Sequence, residues 1–356
     1  LIALFIINPE HALVDGFWRI LQGGFYDFPY GCGKVLTQTA PLIMTGLSVA
    51  FAFKTGLFNI GAAGQYTLGA FGALYFAIVL GMPWWVCLLV SAVFGALWGA
   101  IPGIFKAYLN INEVITSIMF NWIGLYLVNE LVYQKGTGPM YDVRNTRTLN
   151  LGKNADLAQS VIPDFGLNKL FQTNSTTIAI FLAAVVAVLI WVVLNKTTFG
   201  YELKAVGLNK NAARYAGIRD KRNIVLSMAI AGALAGTGAA LYWLSGNTEF
   251  YWTTYQSLPG VGFNGIPVAL LAVNNPIAVI FTGIFMAMLD IVGMQLTNLT
   301  AYNEYITNVI ISVIVYLSAF SLVIRMWLTG RKKRKTAEPA AVPAPAEAAA
   351  QPPDTP

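Results

Sequence analysis

Side chains able to do acid-base or metal chemistry are scarce in this sequence of 356 residues, which has one His and two Cys. Among the acids of its long apolar stretches, Glu113 and Asp290 are the candidates for chemistry, and no acid-base pair is visible. His11 has no second ligand beside it, so the pattern predicts a surface histidine rather than a metal site. We therefore expect no catalytic residue, no metal and no cofactor in this chain.

Neutral amides are the more informative polar groups. The run from Lys54 to Gln65, Lys-Thr-Gly-Leu-Phe-Asn-Ile-Gly-Ala-Ala-Gly-Gln, leads into an apolar stretch through amides and glycines. Amides at that depth are costly unless they pack against helices or line a wet cavity, and they suit a neutral polar solute because they both donate and accept hydrogen bonds. Asn121 lies about two helical turns after Glu113, and so on a similar face. We predict a substrate path lined by Asn59, Gln65, Glu113 and Asn121; the alternative is that the amides only join helices.

The composition indicates which elements must position these residues. Hydrophobic residues make up 56% of the chain and charged residues 11%, against about 25% charged in soluble proteins. A helix needs roughly 20 apolar residues to cross a bilayer, so the length fits one polytopic bundle and excludes a soluble enzyme. The sequence predicts an all-α transmembrane helical bundle of about ten spans. Nine apolar stretches support this prediction: 35–53, 57–80, 83–105, 113–132, 175–195, 223–245, 261–273, 276–297 and 303–325.

Two further observations concern the ends of this pattern. Residues 1–7 are apolar but would reach only about 10 Å as a helix, so we interpret them as the end of a first helix whose start is missing. The stretch 261–273 is short and ends at Asn274-Asn275-Pro276. A sharp turn and a broken helix fit that sequence equally well.

The positions of Lys and Arg predict the orientation, because cytoplasmic loops retain them. Placing the basic run 331–335 in the cytoplasm and counting back ten spans puts fifteen of the 22 Lys and Arg residues on the inner side with five acids; seven basic residues and nine acids lie outside. Both termini are then cytoplasmic. The formal net charge of +6 therefore reports membrane topology, and nucleic-acid binding is the poorer interpretation.

The predicted domain organisation is a transmembrane domain over 1–325 and a tail over 326–356. The tail is basic and then rich in Ala and Pro, which predicts a disordered cytoplasmic extension. An extracytoplasmic loop at 133–174 either covers the mouth of the bundle, touches an external partner or moves freely. The cytoplasmic loop 196–222 contains a short helix capped by Asn209 or Asn211 and ended by Gly217. Such a helix needs a surface, either a cytoplasmic partner or anionic lipid.

Glycine motifs indicate close helix packing. Gly95-x3-Gly99-x3-Gly103 and Gly232-x3-Gly236 each place glycines on one helix face, which permits backbones to approach in lipid, within the chain or at a dimer seam. The segment 260–265 matches a dinucleotide-binding fingerprint, but no strand precedes it. We reject it as a nucleotide site and interpret its glycines as shaping a turn before a helix.

Four segments stand out together: Gly-Leu-Phe-Asn-Ile-Gly-x-x-Gly-Gln at 56–65, Asn-Glu-Val at 112–114, the stretch 200–217, and Ile-Pro-Val-Ala-Leu-Leu at 266–271. They are similar to the permease subunits of bacterial ABC importers, in the branch that covers uptake of nucleosides, simple sugars and branched-chain amino acids. The resemblance runs from about Thr39 to Arg325, and many relatives have Glu at the position of Ala63, so any role of that acid is absent here. The first two of the matching segments look most like nucleoside-type permeases.

The resemblance implies an importer in the bacterial plasma (inner) membrane that works by alternating access. Two permease subunits, identical or different, would enclose the path, and an extracytoplasmic solute-binding protein or lipoprotein would deliver the solute. Cytoplasmic ATPases would bind ATP and Mg²⁺, since this chain holds no Walker A sequence, Gly-x4-Gly-Lys-Ser/Thr. A nucleoside is the first expectation, and a simple sugar or a branched-chain amino acid is the alternative.

By position, 207–217 resembles the coupling helix that docks in an ATPase groove. An acid at Ala213 is then expected to abolish uptake while the protein stays folded and inserted. A different class stays open, because an ion-coupled secondary transporter would use Asp290 or Glu113 to bind its coupling ion. The residues implied in the ATPase contact are Gly207, Asn209, Ala212, Ala213 and Gly217.

Overall fold

The computed structural model describes most of the chain between residues 9 and 320. It divides the chain into two units, Leu1–Val315 and Tyr316–Pro356, and the second is described at three residues only. Residues 1–7, parts of the predicted span 303–325 and the tail 326–356 lie outside the described residues. The described residues are 9, 12–133, 138–142, 144, 147–246, 257–299, 308–314, 316–317 and 320.

The first unit is mostly helical over its described residues. A π-helical turn at Ala12–Trp18 and 3-10 helices at Gly23–Asp27 and Ala155–Ser160 accompany the α-helices, and a small antiparallel pair joins β1 (Tyr141–Asp142) to β2 (Arg147–Thr148). Residues 308–314 are also helical. The α-helices are α1 (Arg19–Gln22), α2 (Tyr30–Lys54), α3 (Ala62–Ile78), α4 (Trp84–Leu109), α5 (Glu113–Tyr133), α6 (Leu167–Phe171), α7 (Ala179–Lys196), α8 (Thr198–Leu208), α9 (Lys210–Tyr215), α10 (Asp220–Trp243), α11 (Gly260–Leu271) and α12 (Pro276–Leu299).

The helices follow the predicted apolar stretches closely. Each stretch from 35–53 to 276–297 contains one of the helices α2–α5, α7 and α10–α12. Six of these are long and apolar enough to cross a membrane, namely α2, α4, α5, α7, α10 and α12. The other two are shorter, with 17 residues in α3 and 12 in α11. The prediction of a multi-pass helical membrane protein is thus confirmed.

The weak stretch 261–273 ends in a turn rather than a broken helix. Helix α11 ends at Leu271, and Val273 (φ 51°) and Asn274 (φ 54°) are both left-handed before Pro276 opens α12. Asn tolerates this conformation, whereas a β-branched residue such as Val rarely adopts it. The backbone thus reverses between two apolar helices within four residues.

Helices α4 and α10 form the tightest contact of the fold, and they meet through their glycines. A side chain at Gly99 would come within 3.0 Å of Gly232, and one at Gly95 would collide with the Gly232 carbonyl oxygen. Ser91 donates a hydrogen bond to the Gly236 carbonyl across the same contact. The two glycine motifs therefore pack against each other within one chain. This corrects the alternative in which they form the interface of a dimer.

The glycines of 260–265 lie inside α11 rather than in a turn before it. Gly262 packs directly on the backbone of Ala63 in α3, and Gly265 packs on Thr45 in α2, where a side chain would come within 2.6 Å of the Thr45 carbonyl carbon. Their role is to let α11 approach two neighbouring helices. The interpretation of these residues as a turn is therefore wrong.

The predicted outer loop is folded over its described residues. Strands β1 and β2, the 3-10 helix and α6 all belong to it, and its hydrogen bonds reach the ends of α2, α4 and α10. We call residues 138–178 the outer cap. These bonds favour a cover over the end of the bundle rather than a freely moving loop. The bonds are Gly152 N to Gly246 O (2.9 Å), Ile162 N to Leu244 O (2.9 Å), Ser160 Oγ to Met82 O (2.6 Å) and Thr176 Oγ1 to Gly33 O (3.0 Å).

Candidate functional site

The turn between α2 and α3 carries a pair of buried amides. Asn59 Nδ2 donates to Gln65 Oε1 at 2.8 Å, and Gln65 Nε2 donates back to Asn59 Oδ1 at 3.1 Å. The Asn59 Nδ2 atom also donates to Ser48 Oγ on α2 at 2.9 Å. Because all three side chains are fully buried, their mutual bonding removes the cost of placing amides inside an apolar bundle.

Asn121 joins the same cluster from α5. Its Oδ1 accepts from the Gly64 backbone N–H at 2.8 Å, and its Nδ2 donates to the Ile60 carbonyl at 3.0 Å. The first bond satisfies a backbone N–H in the first turn of α3, which has no partner in an earlier helical turn, and the second holds the carbonyl of the preceding turn. Asn59, Gln65 and Asn121 therefore form one site, which we call the amide cluster.

Glu113 lies apart from the amide cluster. Its Oε2 forms an ion pair with Lys106 Nζ at 2.8 Å, across the corner between α4 and α5. Eight residues along a helix correspond to a rise of about 12 Å, so a shared face does not bring Glu113 to Asn121. Glu113 thus holds a helix corner, and its place in the predicted path beside Asn121 stays a prediction.

Two hydroxyls beside the amide cluster escaped the sequence analysis. Ser48 accepts from Asn59, whereas the buried Ser117 Oγ has no hydrogen-bond partner among the described residues. Ser117 lies one turn before Asn121 on α5, and its Cβ lies close to Gly61. The spacing of four residues was the available signal, but a helical serine more often bonds to its own backbone.

The predicted short helix in the inner loop is present as α9. Asn209 caps it, since its side chain accepts from the backbone N–H groups of Asn211 and Ala212, each at 3.1 Å. Gly217 follows the helix with φ +81°, a conformation that glycine adopts without strain. The sequence-based interpretation of the cap and of the stop is confirmed.

The two faces of α9 differ sharply. Ala213 is 4% exposed and packs in an apolar cluster with Ala107 of α4 and Met228 of α10. Tyr215, by contrast, is 94% exposed, and Ala212 is also exposed. Leu208, at the adjoining end of α8, is 88% exposed. A charge at Ala213 would enter the chain's own core. The expectation that such a variant stays folded is therefore wrong, and Ala212 is the position that tests a partner contact.

Gly207 connects the inner loop to the turn that carries Asn59. A side chain at Gly207 would lie 2.5 Å from the Lys54 carbonyl oxygen and 2.9 Å from the Gly56 nitrogen. A buried hydrogen bond of 2.7 Å between Thr55 and Ser227 holds the same turn against α10. The end of α8, the turn at 54–61 and the amide cluster are therefore in continuous contact.

Ion pairs fix α9 to the start of α10. Arg214 donates to Asp220 at 2.9 Å, and Lys210 approaches the same carboxylate at 3.6 Å. The hydrogen bond and the charge of Asp220 raise the pKa of the Arg214 guanidinium above its ordinary value. Asp220 did not stand out in the sequence, because the break at Gly217 separates it from both basic residues.

Comparisons with known proteins give one consistent result. The family described as branched-chain amino acid transport system / permease component matches residues 32–319. Three similar relatives are ABC transporter permease proteins. The guanosine permease protein NupP of Bacillus subtilis is 33% identical, covering 94% of this chain and 93% of that protein. The nucleoside permease protein NupB of Lactococcus lactis is 35% identical, covering 86% and 84%. The glucose permease protein TsgB13 of Haloferax volcanii is 33% identical, covering 74% and 69%.

Proposed function

Because the chain belongs to the branched-chain amino acid transport system / permease component family, we propose that it imports a nucleoside as the membrane-spanning subunit of an ABC importer. As a permease component it is a multi-pass protein of the inner membrane and not an enzyme. The substrate is the proposed step. Two of the relatives named above are permeases for guanosine or nucleosides, and the third, for glucose, keeps a simple sugar as the alternative.

The continuity between the inner loop and the amide cluster is the observation that carries the proposal. Gly207 lies against the turn at 54–61, and Asn59 of that turn belongs to the cluster. A force applied to α8 and α9 from the cytoplasm therefore acts on a turn lined by neutral hydrogen-bonding groups. Alternating access needs such a contiguous link between an energised partner and the solute path.

The exposed face of α9 supports docking of an ATPase. Tyr215 protrudes from this short helix, whose opposite face is anchored in the chain, and Leu208 protrudes from the adjoining end of α8. Exposed tyrosines of this kind form interface anchors. Partner ATPases bind ATP and Mg²⁺, and Gly207, Asn209 and Gly217 shape the segment that they contact. Ala213 supports that segment from inside.

The polar groups of the proposed path suit a nucleoside. Asn59, Gln65 and Asn121 carry no charge, and their amide groups, which bond to one another and to the backbone, would donate to and accept from a ribose or a base once the helices part. Trp122 and Tyr126 stack on the exposed face of α5 with ring centroids 6.1 Å apart and planes 26° apart. Trp122 lies near the middle of that helix, and an aromatic surface at mid-depth is suited to a planar base.

The wider assembly is also part of the proposal. The chain has about ten spans with both termini in the cytoplasm, a membrane domain over 1–325 and a basic, then Ala- and Pro-rich tail over 326–356. A second permease subunit completes the path, and an extracytoplasmic solute-binding protein or lipoprotein delivers the solute on the side of the outer cap. The excess of Lys and Arg in the 196–222 loop supports this orientation.

Uptake into proteoliposomes that contain the complete transporter tests the function. We expect a radiolabelled nucleoside to accumulate when ATP and Mg²⁺ reach the ATPases, and unlabelled nucleosides to compete better than glucose or leucine. Accumulation of glucose but not of nucleosides would contradict the substrate. Uphill uptake by this chain without a companion polypeptide, or uptake that follows a proton gradient without ATP, would contradict the mechanism.

A further inference from the structure

Asp220 is an acid that lies inside the protein at the first position of a spanning helix. The residue is 5% exposed and opens α10. Its two carboxylate oxygens accept from Arg214, with Oδ2 at 2.9 Å from Nη2 and Oδ1 at 3.4 Å from Nε. Lys210 Nζ lies 3.6 Å from Oδ2. Both basic residues belong to α9, so one buried carboxylate holds the whole of that short helix.

A two-point contact of this kind fixes direction as well as distance. The planar guanidinium and the carboxylate meet through two parallel hydrogen bonds, which resist rotation of one helix against the other. The six-residue α9 is too short to be stable alone, and its apolar face is anchored by Ala213. Two contacts therefore hold α9: the apolar packing of Ala213 and the polar bonds to Asp220.

Helix α10 is well placed to pass a displacement onward. It packs on α4 through the glycine contact of Gly95 and Gly232, and on α2 through Gly238. Asn223, in its first turn, donates to Glu202 of α8 at 2.9 Å, which ties it to the inner loop a second time. Because close-packed interiors deform little, a shift at the start of α10 moves the glycine contact as well.

We propose that Asp220 is a positioning residue that transmits the movement of a docked ATPase from α9 to α10. This inference rests on the proposed function and adds the route by which the inner loop acts on the bundle. A bound ATPase pulls on the exposed face of α9, the bonds from Lys210 and Arg214 carry the pull to Asp220, and α10 moves with its partner helix α4.

A purely local role for Asp220 makes a different prediction. An acid in the first turn of a helix stabilises it through the helix dipole, and that effect needs neither Arg214 nor Lys210. Under this reading, substitutions at Asp220 lower the thermal stability, while each hydrolysed ATP still imports as much solute as before. The quantity that separates the two readings is therefore the amount of solute imported per ATP hydrolysed.

The test measures uptake and ATP hydrolysis in the same proteoliposomes, with the complete transporter. We expect Asp220→Asn and Arg214→Gln to lower the ratio of solute imported to ATP hydrolysed by about tenfold, within the range of coupling between sites, with hydrolysis retained. Arg222→Gln is the matched control, because it removes an exposed basic residue two positions after Asp220 and should leave the ratio unchanged. The exchange variant Asp220→Arg/Arg214→Asp should recover part of the ratio.

Each outcome decides the matter. An unchanged ratio in Asp220→Asn and Arg214→Gln overturns the proposal, even if both variants unfold at lower temperature. If Asp220→Asn is not recovered in membranes, the exchange variant decides: a recovered ratio supports transmission, whereas normal hydrolysis with the ratio lost overturns it. If the wild type imports glucose and no nucleoside, the substrate proposal fails while the same ratio, measured with glucose, still tests Asp220.

Discussion

The amide cluster shows how uncharged side chains are kept in an apolar bundle. Asn59 and Gln65 bond to each other, and Asn121 satisfies backbone groups at the start of α3. The same bonds give the turn at 54–61 a fixed conformation. A path built on it keeps its hydrogen-bonding groups in place until the helices move.

Substitution of Asn59 by Ala tests this arrangement. The change removes both bonds to Gln65 and leaves a buried amide unpaired, at a cost of about 1–3 kcal/mol. We expect the midpoint of thermal unfolding in detergent to fall, and Asn211→Ala, at an exposed asparagine of α9, to leave it near the wild-type value. Equal midpoints for the two variants would show that the cluster does not hold the turn.

The sequence predicted the residues of the cluster but not their geometry. Asn59, Gln65 and Asn121 stood out because amides are expensive in lipid, whereas the bond from Asn59 to Gln65 crosses an irregular turn, where no periodic spacing applies. Glu113 was grouped with them by its helical face alone. Its ion pair with Lys106 depends on the angle between α4 and α5, which the sequence pattern does not contain.

Among the elements, α9 is defined by a local signal and oriented by a non-local one. Its cap at Asn209 and its end at Gly217 could be predicted from residue types, because capping involves only neighbours in sequence. The face of α9 that packs against the rest of the chain could not be predicted, because six residues are too few to show an apolar period. The burial of Ala213 comes from α4 and α10, which lie far away along the chain.

Adjacent alanines of α9 provide a matched pair of variants. Ala212→Asp puts a charge on the exposed face, so we expect the protein to fold and insert but to lose its ATPase partner on co-purification. Ala213→Asp puts the same charge in the apolar cluster, where an unpaired charge is strongly destabilising, and little folded protein is expected. Normal ATPase binding by Ala212→Asp would remove α9 from the interface; a well-folded Ala213→Asp would contradict the burial.

At the scale of the molecule, the sequence predicted where the helices are but not which helices pack against each other. Each spanning helix satisfies its own backbone, so hydropathy alone finds it. Packing in lipid depends instead on small residues, and glycine motifs do not state which motif they meet. The contact between α4 and α10 and the position of Gly262 and Gly265 inside α11 became evident only in three dimensions.

The glycine contact predicts how the bundle responds to added bulk. In Gly95→Val the new side chain would collide with the Gly232 carbonyl, and overpacking of this kind costs about 1–3 kcal/mol. We expect a lower midpoint of thermal unfolding, and reduced uptake because the added bulk separates α10 from α4 and the two helices no longer move together. Gly260→Ala is the control, since nothing lies within 4 Å of the added carbon. Similar midpoints for the two variants would contradict a tight contact.

The outer cap limits which helix ends can move apart. It forms hydrogen bonds to the ends of α2, α4 and α10 at the same time. These three helix ends therefore cannot separate from one another while the bonds persist. Any opening at this end of the bundle must then lie along a border that the cap does not bridge, either beside another polypeptide or between helices that the cap does not bind.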